Sequence, residues 1–434
     1  MATILHKRKT ADPSASDLAV GELAINTSDG GVFTKTTGGS VVEVGGSNAG
    51  DANQNAFSNF AVSGQTTVAA DSTTDTCTFV AGTNMTITTD ASADSITFTA
   101  AGGVTSDAQG NTVAGTNAGD DFDGTNAEEN TLFGKDCGTA ITTGDSNTAF
   151  GFEAGKAINT GSYSVIIGKE AGKSLTSGTN NVLIGHIAGD DINSSDNVIV
   201  GGNAGHDSSL GGSNVIIGKS ACQNGEGQKN TYVGQGANWY GGGAANENVG
   251  IGHDALADLT TGDENVAVGA SSLMTCETGT RNVVAGYEAG KVFTNNNLTA
   301  IGYQAGLANT TGGANTFIGQ KAGLVCNSGA MNVCVGNGAA PALTTGSSNI
   351  LIGQNVAASV NTGSDNTVIG ANASLTNDVT NCIVIGHDAT ATNDTSNEIT
   401  LGDTAITKFR IPGLGFELNT DSSSGFILDF GSVA

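Results

Sequence analysis

The sequence predicts an all-β protein whose main part is an elongated parallel β-solenoid, or β-roll, of about 17 coils. A motif of about seventeen residues, Asn-x-apolar-apolar-Gly-x-x-Ala, recurs seventeen times within residues 130–406. A fixed short period of this kind is typical of a solenoid, in which each repeat forms one coil and stacks on the next. The 66 glycines and the 5% of aromatic residues leave too few large side chains for several thick cores.

The glycine of the motif, called the anchor glycine below, gives the register of the repeat, and other positions are numbered from it. Successive anchors lie 16, 17 or 18 residues apart, so the register is never lost. At ~4.8 Å per stacked coil, the repeats predict a shaft of roughly 80 Å. The anchors are Gly134, Gly151, Gly168, Gly185, Gly201, Gly218, Gly234, Gly252, Gly269, Gly286, Gly302, Gly319, Gly336, Gly353, Gly370, Gly386 and Gly402.

Two further positions of the repeat indicate how the coil is built. Position −4 is Asn in thirteen coils, and stacked Asn side chains can hydrogen-bond from coil to coil. Position +3 is Ala in fourteen coils, which indicates a tight interior corner. Six residues represent this structural repeat: Asn147, Gly151, Ala154, Asn181, Gly185 and Ala188.

The residue before each anchor is apolar, and the residue before that one is usually apolar too. Adjacent strand residues face opposite sides of a sheet, so this pair predicts that both faces are covered. A thin coil can cover only one face by itself. We therefore expect identical chains to associate side by side, and three chains around one axis, a homotrimer, is the natural closed arrangement, although spacing alone does not fix the number.

Small β modules are predicted before the solenoid. Residues 1–45 contain a hairpin signal around Asp29-Gly30-Gly31, and residues 46–53 are a Gly-, Asn- and Asp-rich linker. Residues 54–102 hold a tandem duplication in which Thr alternates with apolar residues, typical of a small β-domain. Residues 103–129 are expected to be a polar connector to the β-roll shaft at 130–406, and residues 407–434 form a distal C-terminal tip.

The net charge of −26 excludes several classes of function. Such an acidic chain repels nucleic acid and anionic lipid. No stretch approaches the ~18 consecutive apolar residues of a membrane span, and the N-terminus lacks the apolar stretch of a signal peptide. We therefore expect no nucleic-acid partner, no membrane insertion, and assembly in a cytoplasm.

Cofactor and metal chemistry is also not expected. The seven cysteines are scattered without a CxxC pair and are interpreted as small buried thiols. The five histidines are interpreted as lone solvated side chains. A weakly bound cation near Asp190, Asp191 and Asp196 stays an open alternative.

Several segments resemble known families. The motifs Asn147-Thr-Ala-Phe-Gly-Phe-Glu-Ala-Gly155 and Asn181-Val-Leu-Ile-Gly-His-Ile-Ala-Gly189 resemble the β-roll repeats of trimeric adhesin heads and of bacteriophage fibres. Residues 21–36 are similar to the virion-attachment end of phage tail fibre proteins, and residues 61–99 resemble a module of marine phage structural proteins. Trimeric autotransporter adhesins need a signal peptide and a C-terminal membrane barrel. We expect neither in this sequence, so the resemblance favours a phage fibre. In many such fibres a self-cleaving chaperone domain follows the closing coil, whereas here about twenty residues remain.

The resemblance implies a tail fibre located in the virion, attached through its N-terminus and projecting a trimeric shaft toward the host. Its partners would be itself, other virion proteins of the tail, neck or baseplate, and a host-surface glycan or protein. The alternative is a structural appendage of the neck, collar or capsid without a receptor role. A polysaccharide-depolymerising tailspike is the third interpretation, which scattered carboxylates and scarce aromatics disfavour, so no enzymatic activity is expected.

Two groups of residues are candidate contacts. Trp239 and Tyr240 are adjacent in the only interval of 18 residues, and they are candidate glycan contacts; the alternative is that one of them caps a local gap. The resemblance to tail fibres suggests virion-attachment residues within 1–45, and these are Lys7, Arg8, Glu22, Leu23 and Phe33.

Overall fold

The computed structural model describes residues 6–26, 28, 31–44, 59–60, 68–69, 78–81, 85–93, 95–100, 105–375, 378–391, 396–411, 416–421 and 425–430. Every regular element within them is a β-strand, which confirms the all-β class. No helix in these ranges has the length and apolar character to cross a membrane. The chain divides into two compact units, Met1–Ala101 and Gly102–Ala434, which are described separately.

The first unit begins with a four-stranded sheet of β1 (His6–Lys9), β2 (Leu23–Asn26), β3 (Val32–Lys35) and β4 (Val41–Glu43) in that order. Strands β2 and β3 are antiparallel and pair Ile25 with Val32, on either side of the turn that the sequence predicts. Strand β1 runs parallel to β2, a pairing that the sequence does not reveal.

The duplicated region of the first unit forms two short antiparallel pairs. Strand β5 (Asn59–Phe60) pairs with β6 (Val68–Ala69), and β7 (Met85–Asp90) pairs over six residues with β8 (Ser95–Ala100). The side chain of Asp90 accepts hydrogen bonds from Ser92 and closes the turn of the longer hairpin. Residues 71–77, which belong to the first copy of the duplication, lie outside the described ranges.

The second unit contains the solenoid, which confirms the prediction of about 17 coils. Each coil contributes one strand of three residues, and neighbouring strands pair parallel and in register from β10 to β27. Strand β9 (Thr105–Ser106) pairs antiparallel with β10 and begins the ladder. The strands are β10 (Thr112–Ala114), β11 (Thr131–Phe133), β12 (Thr148–Phe150), β13 (Val165–Ile167), β14 (Val182–Ile184), β15 (Val198–Val200), β16 (Val215–Ile217), β17 (Thr231–Val233), β18 (Val249–Ile251), β19 (Val266–Val268), β20 (Val283–Ala285), β21 (Thr299–Ile301), β22 (Thr316–Ile318), β23 (Val333–Val335), β24 (Ile350–Ile352), β25 (Thr367–Ile369), β26 (Ile383–Ile385) and β27 (Ile399–Leu401).

The ladder starts one coil earlier than the repeat count predicts. Residues 111–119, in the segment interpreted as a connector, read Asn-Thr-Val-Ala-Gly-Thr-Asn-Ala-Gly and carry the full motif. Strand β10 in this segment pairs in register with β11, and Gly115 occupies the anchor position. The interval from Gly115 to Gly134 is nineteen residues, longer than any other, which hides this coil from a search at a period of 16–18.

The core consists of buried side chains that stack in columns inside the coils. The middle residue of each strand, at position −2, points inward, as Ile166 and Leu183 do, and both are fully buried. The small residue at position +3 and a larger one at +7, such as Ala154 and Ile158, complete each layer. Tyr232 is the largest of these buried side chains and fills the space left by Gly250 at the same position of the next coil.

The anchor glycines form a column that no other residue could occupy. Gly151 has φ +142°, in the left-handed region that favours glycine, and a Cβ there would overlap the carbonyl oxygen of Gly168 in the next coil. The same overlap recurs from coil to coil, as at Gly168 with Gly185. The glycine of the motif is therefore required by the close stacking of backbones.

The Asn side chains at position −4 are buried and form an amide ladder along the solenoid. The backbone N and Nδ2 of Asn147 both donate to Oδ1 of Asn130, at 3.0 and 3.1 Å. Nδ2 of Asn147 also donates to the carbonyl oxygen of Gly161, at 2.8 Å. Each amide thus satisfies backbone groups of its own and neighbouring coils that would otherwise be buried without partners.

A second ladder runs on the outer side of the turn before the strand, at position −6. There, a backbone N donates to the side-chain oxygen of the equivalent residue in the next coil, as Asp145 does to Ser162 and Ser347 does to Ser364. Its acceptors are Ser, Asn and Asp, and it runs in the opposite direction to the Asn ladder.

Beyond the last coil, the chain forms a three-stranded antiparallel sheet. Its strands are β28 (Lys408–Ile411), β29 (Phe416–Asp421) and β30 (Gly425–Phe430). Six residue pairs join β29 to β30, from Phe416 with Phe430 to Asp421 with Gly425. The predicted distal tip therefore contains regular β-structure.

Candidate binding surfaces

The outer face of the solenoid sheet is apolar along its whole length. Positions −3 and −1 of each strand point away from the core, and β-branched residues predominate at both. Ile350 and Ile352 in β24, for example, are 43% and 37% exposed, while Leu351 between them is fully buried. This outer face, defined by positions −3 and −1 of β11 to β27, is called the apolar face below.

Aromatic residues extend the apolar face near its first coils. The rings of Phe133 and Phe150, at position −1 of neighbouring coils, stack with centroids 4.9 Å apart. Contiguous exposed apolar surface on this scale is uncommon on soluble monomers and marks interaction sites. The sequence analysis identified position −1 of this face. Position −3, which is Val, Ile or Thr in every coil, is also β-branched and was missed.

Trp239 and Tyr240 lie together on the surface of the coil anchored at Gly234. They are 38% and 58% exposed, and their rings stack with centroids 4.8 Å apart. The indole Nε1 of Trp239 donates to Oε1 of Gln223 in the preceding coil, at 2.9 Å. The backbone nitrogen of Tyr240 donates to the carbonyl of Ala257, so both coils beside the pair hold it in place.

The residues predicted for virion attachment have different environments in the first unit. Phe33 is only 9% exposed and packs with Leu18 and Ala24 in the small core, so its ring is a packing residue. Leu23 begins β2, and the carboxylate of Glu22 accepts a hydrogen bond from the backbone of Ala19. Lys7 and Arg8 lie in β1, whose side chains are outside the described part of the chain.

The residues chosen to represent the repeat serve the fold. Asn147, Asn181, Ala154 and Ala188 are fully buried, and Gly151 and Gly185 belong to the anchor column. The oxygen of Ser164 replaces the Asn between Asn147 and Asn181, and accepts from the backbone of Asn181 at 3.2 Å. These residues are brought into axial columns, and none of them offers a polar group to solvent.

Histidines pair locally with aspartates. His253 and His387 each place Nδ1 3.0 Å from the carboxylate of the next residue. His206 Nδ1 lies 2.8 Å from Asp207, and its Nε2 lies 3.8 Å from Asp190 one coil earlier. Within the described residues no group of three His, Cys, Asp or Glu side chains is arranged to hold a metal ion.

Asp190 has the most unusual environment of the acidic residues on the solenoid. Burial raises the pKa of its carboxyl above the usual range, and the nearby charges of Asp191 and Asp207 raise it further. His206 acts in the opposite sense by favouring the charged carboxylate. The Oδ1 atom of Asp190 is buried and has no hydrogen-bond partner among the described residues.

Lysine and glutamate side chains form a network on the first coils. Lys156 and Lys173 both contact Glu153, at 2.8 and 3.0 Å, and Lys169 contacts Glu170 at 2.8 Å. Ionic hydrogen bonds from the lysines lower the pKa of both glutamates. The positive charges here are therefore largely neutralised by partners within the chain.

Six of the seven cysteines lie in the described ranges, and all six are buried. Burial raises the pKa of the Cys137 and Cys326 thiols to about 12. A thiol with such a pKa is protonated at neutral pH and is a poor nucleophile. Cys77 lies outside the described residues.

Comparisons with known proteins give no family for this chain: no family model, no curated protein and no solved structure matches it. The class of protein that can be stated is therefore the one that the fold defines, a parallel β-solenoid repeat protein with an apolar outer face.

Proposed function

We propose that the protein is a bacteriophage fibre, a virion structural protein that attaches through residues 1–45 and projects a homotrimeric solenoid for host-surface binding. One observation carries the proposal: the apolar face, which one chain leaves exposed along some seventeen coils. A chain of net charge −26 would be expected to keep a solvent-facing sheet polar. Residues such as Ile167 and Ile301, 39% and 41% exposed, instead suit an interface.

A homotrimer supplies what the apolar face lacks. Burying apolar surface contributes about 25 cal/mol per Å², so a continuous strip of β-branched side chains stabilises association strongly. A closed ring of three chains covers the strip on every copy and leaves no face for further growth. The parallel, in-register coils would bring identical residues of the three copies to similar heights along the axis.

Host contact would be made by weak sites repeated on each fibre. Trp239 and Tyr240 offer an exposed aromatic surface for a host glycan. Three copies per fibre and several fibres per particle raise the overall affinity through effective concentration. Residues 403–434 at the distal end are a second candidate receptor contact.

The role in adsorption is tested by comparing phage particles that carry the full chain with particles whose chain is truncated after Gly402. We expect truncated particles to assemble and to adsorb more slowly to the host. Unchanged adsorption, together with unchanged adsorption of the Trp239→Ala variant, would instead favour a neck, collar or capsid appendage without a receptor role.

We propose that the chain acts by binding and not by catalysis. Incubation of the purified protein with host capsule or lipopolysaccharide measures this directly, and no released sugar is expected. Release of oligosaccharides would establish the tailspike alternative.

A further inference from the structure

One surface position of the repeat, five residues after the anchor glycine, carries an unusual series of side chains. In four consecutive coils it holds Asp190, His206, Gln223 and Trp239, one above the other. We call these four residues the polar row. Coils stack at ~4.8 Å, so the row extends over roughly 15 Å along the solenoid.

Contacts within the polar row fix its geometry. The Trp239 indole donates to Gln223 across one coil interval, at 2.9 Å. His206 Nε2 lies 3.8 Å from the Asp190 carboxylate across another. All four residues are partly exposed, with values of 16% for the Asp190 side chain, 23% for the His206 side chain and 38% for Trp239. The row is therefore a continuous, solvent-accessible series held in register by the fold.

The fold itself does not require these residues. The next coils place Ala257 and Met274 at the same position, Lys291 follows, and later coils place Leu307, Leu324 and Pro341 there. The coil thus accepts apolar side chains of different sizes at this point without loss of register. Stability of the fold therefore does not explain why the polar row carries polar and aromatic side chains.

The combination of an aromatic ring with amide, imidazole and carboxyl groups is suited to sugars. A pyranose presents an apolar face that packs on an indole and hydroxyl groups that both donate and accept hydrogen bonds. The length that one sugar residue adds to an extended polysaccharide is comparable with the distance between neighbouring coils. A linear polysaccharide lying parallel to the solenoid axis would therefore meet one member of the row with each successive sugar.

The charges indicate an uncharged glycan. The carboxylates of Asp190, Asp191 and Asp207 repel an anionic polysaccharide, and the net charge of −26 adds to this repulsion. The nearest lysines at the same position, Lys156 and Lys173, contact Glu153 and are not free to bind sulfate or uronate groups. The donors and acceptors left in the row match hydroxyl groups.

We propose that the polar row binds an extended neutral polysaccharide, one sugar residue per coil, from Asp190 to Trp239. This inference rests on the proposed glycan contact at Trp239 and deepens it, because it adds three residues, an axial direction and a ligand class. Affinity should depend on the length of the glycan, which a single aromatic contact does not explain.

The test is calorimetric titration of the intact protein with neutral hexose oligosaccharides graded from disaccharide to hexasaccharide. We expect the affinity to rise up to the tetrasaccharide and then to level off, because four coils contribute contacts. His206→Ala and Gln223→Ala should each weaken tetrasaccharide binding about tenfold, the loss of roughly one hydrogen bond. Met274→Ala, at the same position but beyond the row, is the matched control and should bind normally.

Three results would overturn the proposal that the polar row binds an extended neutral polysaccharide. One is an affinity independent of length and reduced only by Trp239→Ala, which would retain the single glycan contact. Another is stronger binding of sulfated or uronate-containing oligosaccharides. The third is binding of no neutral oligosaccharide while the labelled protein still binds host cells, which leaves the proposed fibre function standing. Loss of cell binding in the unaltered protein is the separate result that argues against that function.

Discussion

At the scale of single residues, the anchor glycine column is the strictest requirement of the solenoid. Gly201 has φ +143°, and a Cβ there would overlap the carbonyl oxygen of Gly218. Gly202, its neighbour in sequence, has open space where its Cβ would lie and no positive φ. Two adjacent glycines thus have opposite tolerances, which provides a matched pair.

We predict that Gly201→Ala strongly destabilises the protein and that Gly202→Ala does not. The positive φ alone should cost about 1–3 kcal/mol, and the backbone overlap adds to this. Gly202→Ala should be neutral or slightly stabilising, by less than about 1 kcal/mol. Denaturant unfolding measures both changes, and equal effects of the two substitutions would contradict the stacked-glycine geometry.

Asp190 gives a prediction for pH dependence. Its pKa is raised in the folded state, mainly by burial, so folding favours the protonated form. Its contribution to stability is therefore fully present below the unfolded-state value of ~3.9 and is lost as the pH rises through the folded value. Asp190→Asn, which stays uncharged, should be more stable than the unaltered protein at neutral pH.

The gain from Asp190→Asn should disappear at about pH 3, where the carboxyl is protonated in both states. Hydrogen exchange of the coil amides around residues 185–206 would detect the local difference at each pH. Asp196→Asn, at an exposed position, is the control. A stabilisation by Asp190→Asn that persists unchanged at low pH would contradict the burial argument.

At the scale of structural elements, the two hydrogen-bond ladders bind one coil to the next. Asn349 illustrates the inner one: its backbone N and Nδ2 both donate to Asn332 at 3.0 Å, and Nδ2 donates to Gly363. Its own oxygen accepts from the backbone of Asn366. One buried amide thus connects three consecutive coils, those anchored at Gly336, Gly353 and Gly370.

We predict that Asn349→Ala lowers the free energy of unfolding by about 1–3 kcal/mol, because it leaves buried donors and acceptors without partners. Asn337→Ala is the matched control: it removes the same side chain from an exposed position, where the amide donates a hydrogen bond to Gln320. That control should change stability by no more than about 0.5 kcal/mol. Equal losses in the two variants would show that the ladder adds nothing to stability.

The sequence predicted those structural features that use the same residue type at the same position of successive repeats. The inner Asn ladder and the glycine column could be inferred because each uses one residue at one position. The outer ladder was not foreseen, since Ser, Asn and Asp serve equally well as acceptors and no single residue repeats. The coil at Gly115 was missed because its interval is longer than the others.

The candidate sites were predictable to a different extent. Trp239 and Tyr240 attracted notice by composition alone, since the chain has a single tryptophan. The contact of His206 with Asp190 joins residues sixteen positions apart, and only the stacking of coils makes it visible. Phe33 was predicted as a virion-attachment residue from the resemblance to tail fibres, and the structure adds that its ring is buried while its neighbours in β3 are only partly buried.

At the scale of the whole molecule, the apolar face is the feature that favours association between chains. Isolated exposed apolar side chains are common on monomers, but a strip repeated in every coil is not. The same strip makes an unpartnered chain prone to association along its sheet. Trimerisation is proposed as the arrangement that buries the strip on every copy.

We predict that Ile301→Asp, on the apolar face, weakens the trimer. The substitution would bring carboxylates of three copies together in an apolar interface, which is strongly unfavourable. Asn337→Asp places the same charge on an exposed turn and serves as the control. Sedimentation velocity of the two variants checks this, and an unchanged oligomer for Ile301→Asp would remove the apolar face from the interface.

The central claim is that chains associate through the apolar face, and the mass of the purified protein in solution tests it most directly. Sedimentation equilibrium or native mass spectrometry should give three times the chain mass of 42.8 kDa, at concentrations down to the nanomolar range. A monomer of 42.8 kDa that stays soluble with its apolar face exposed would contradict the account.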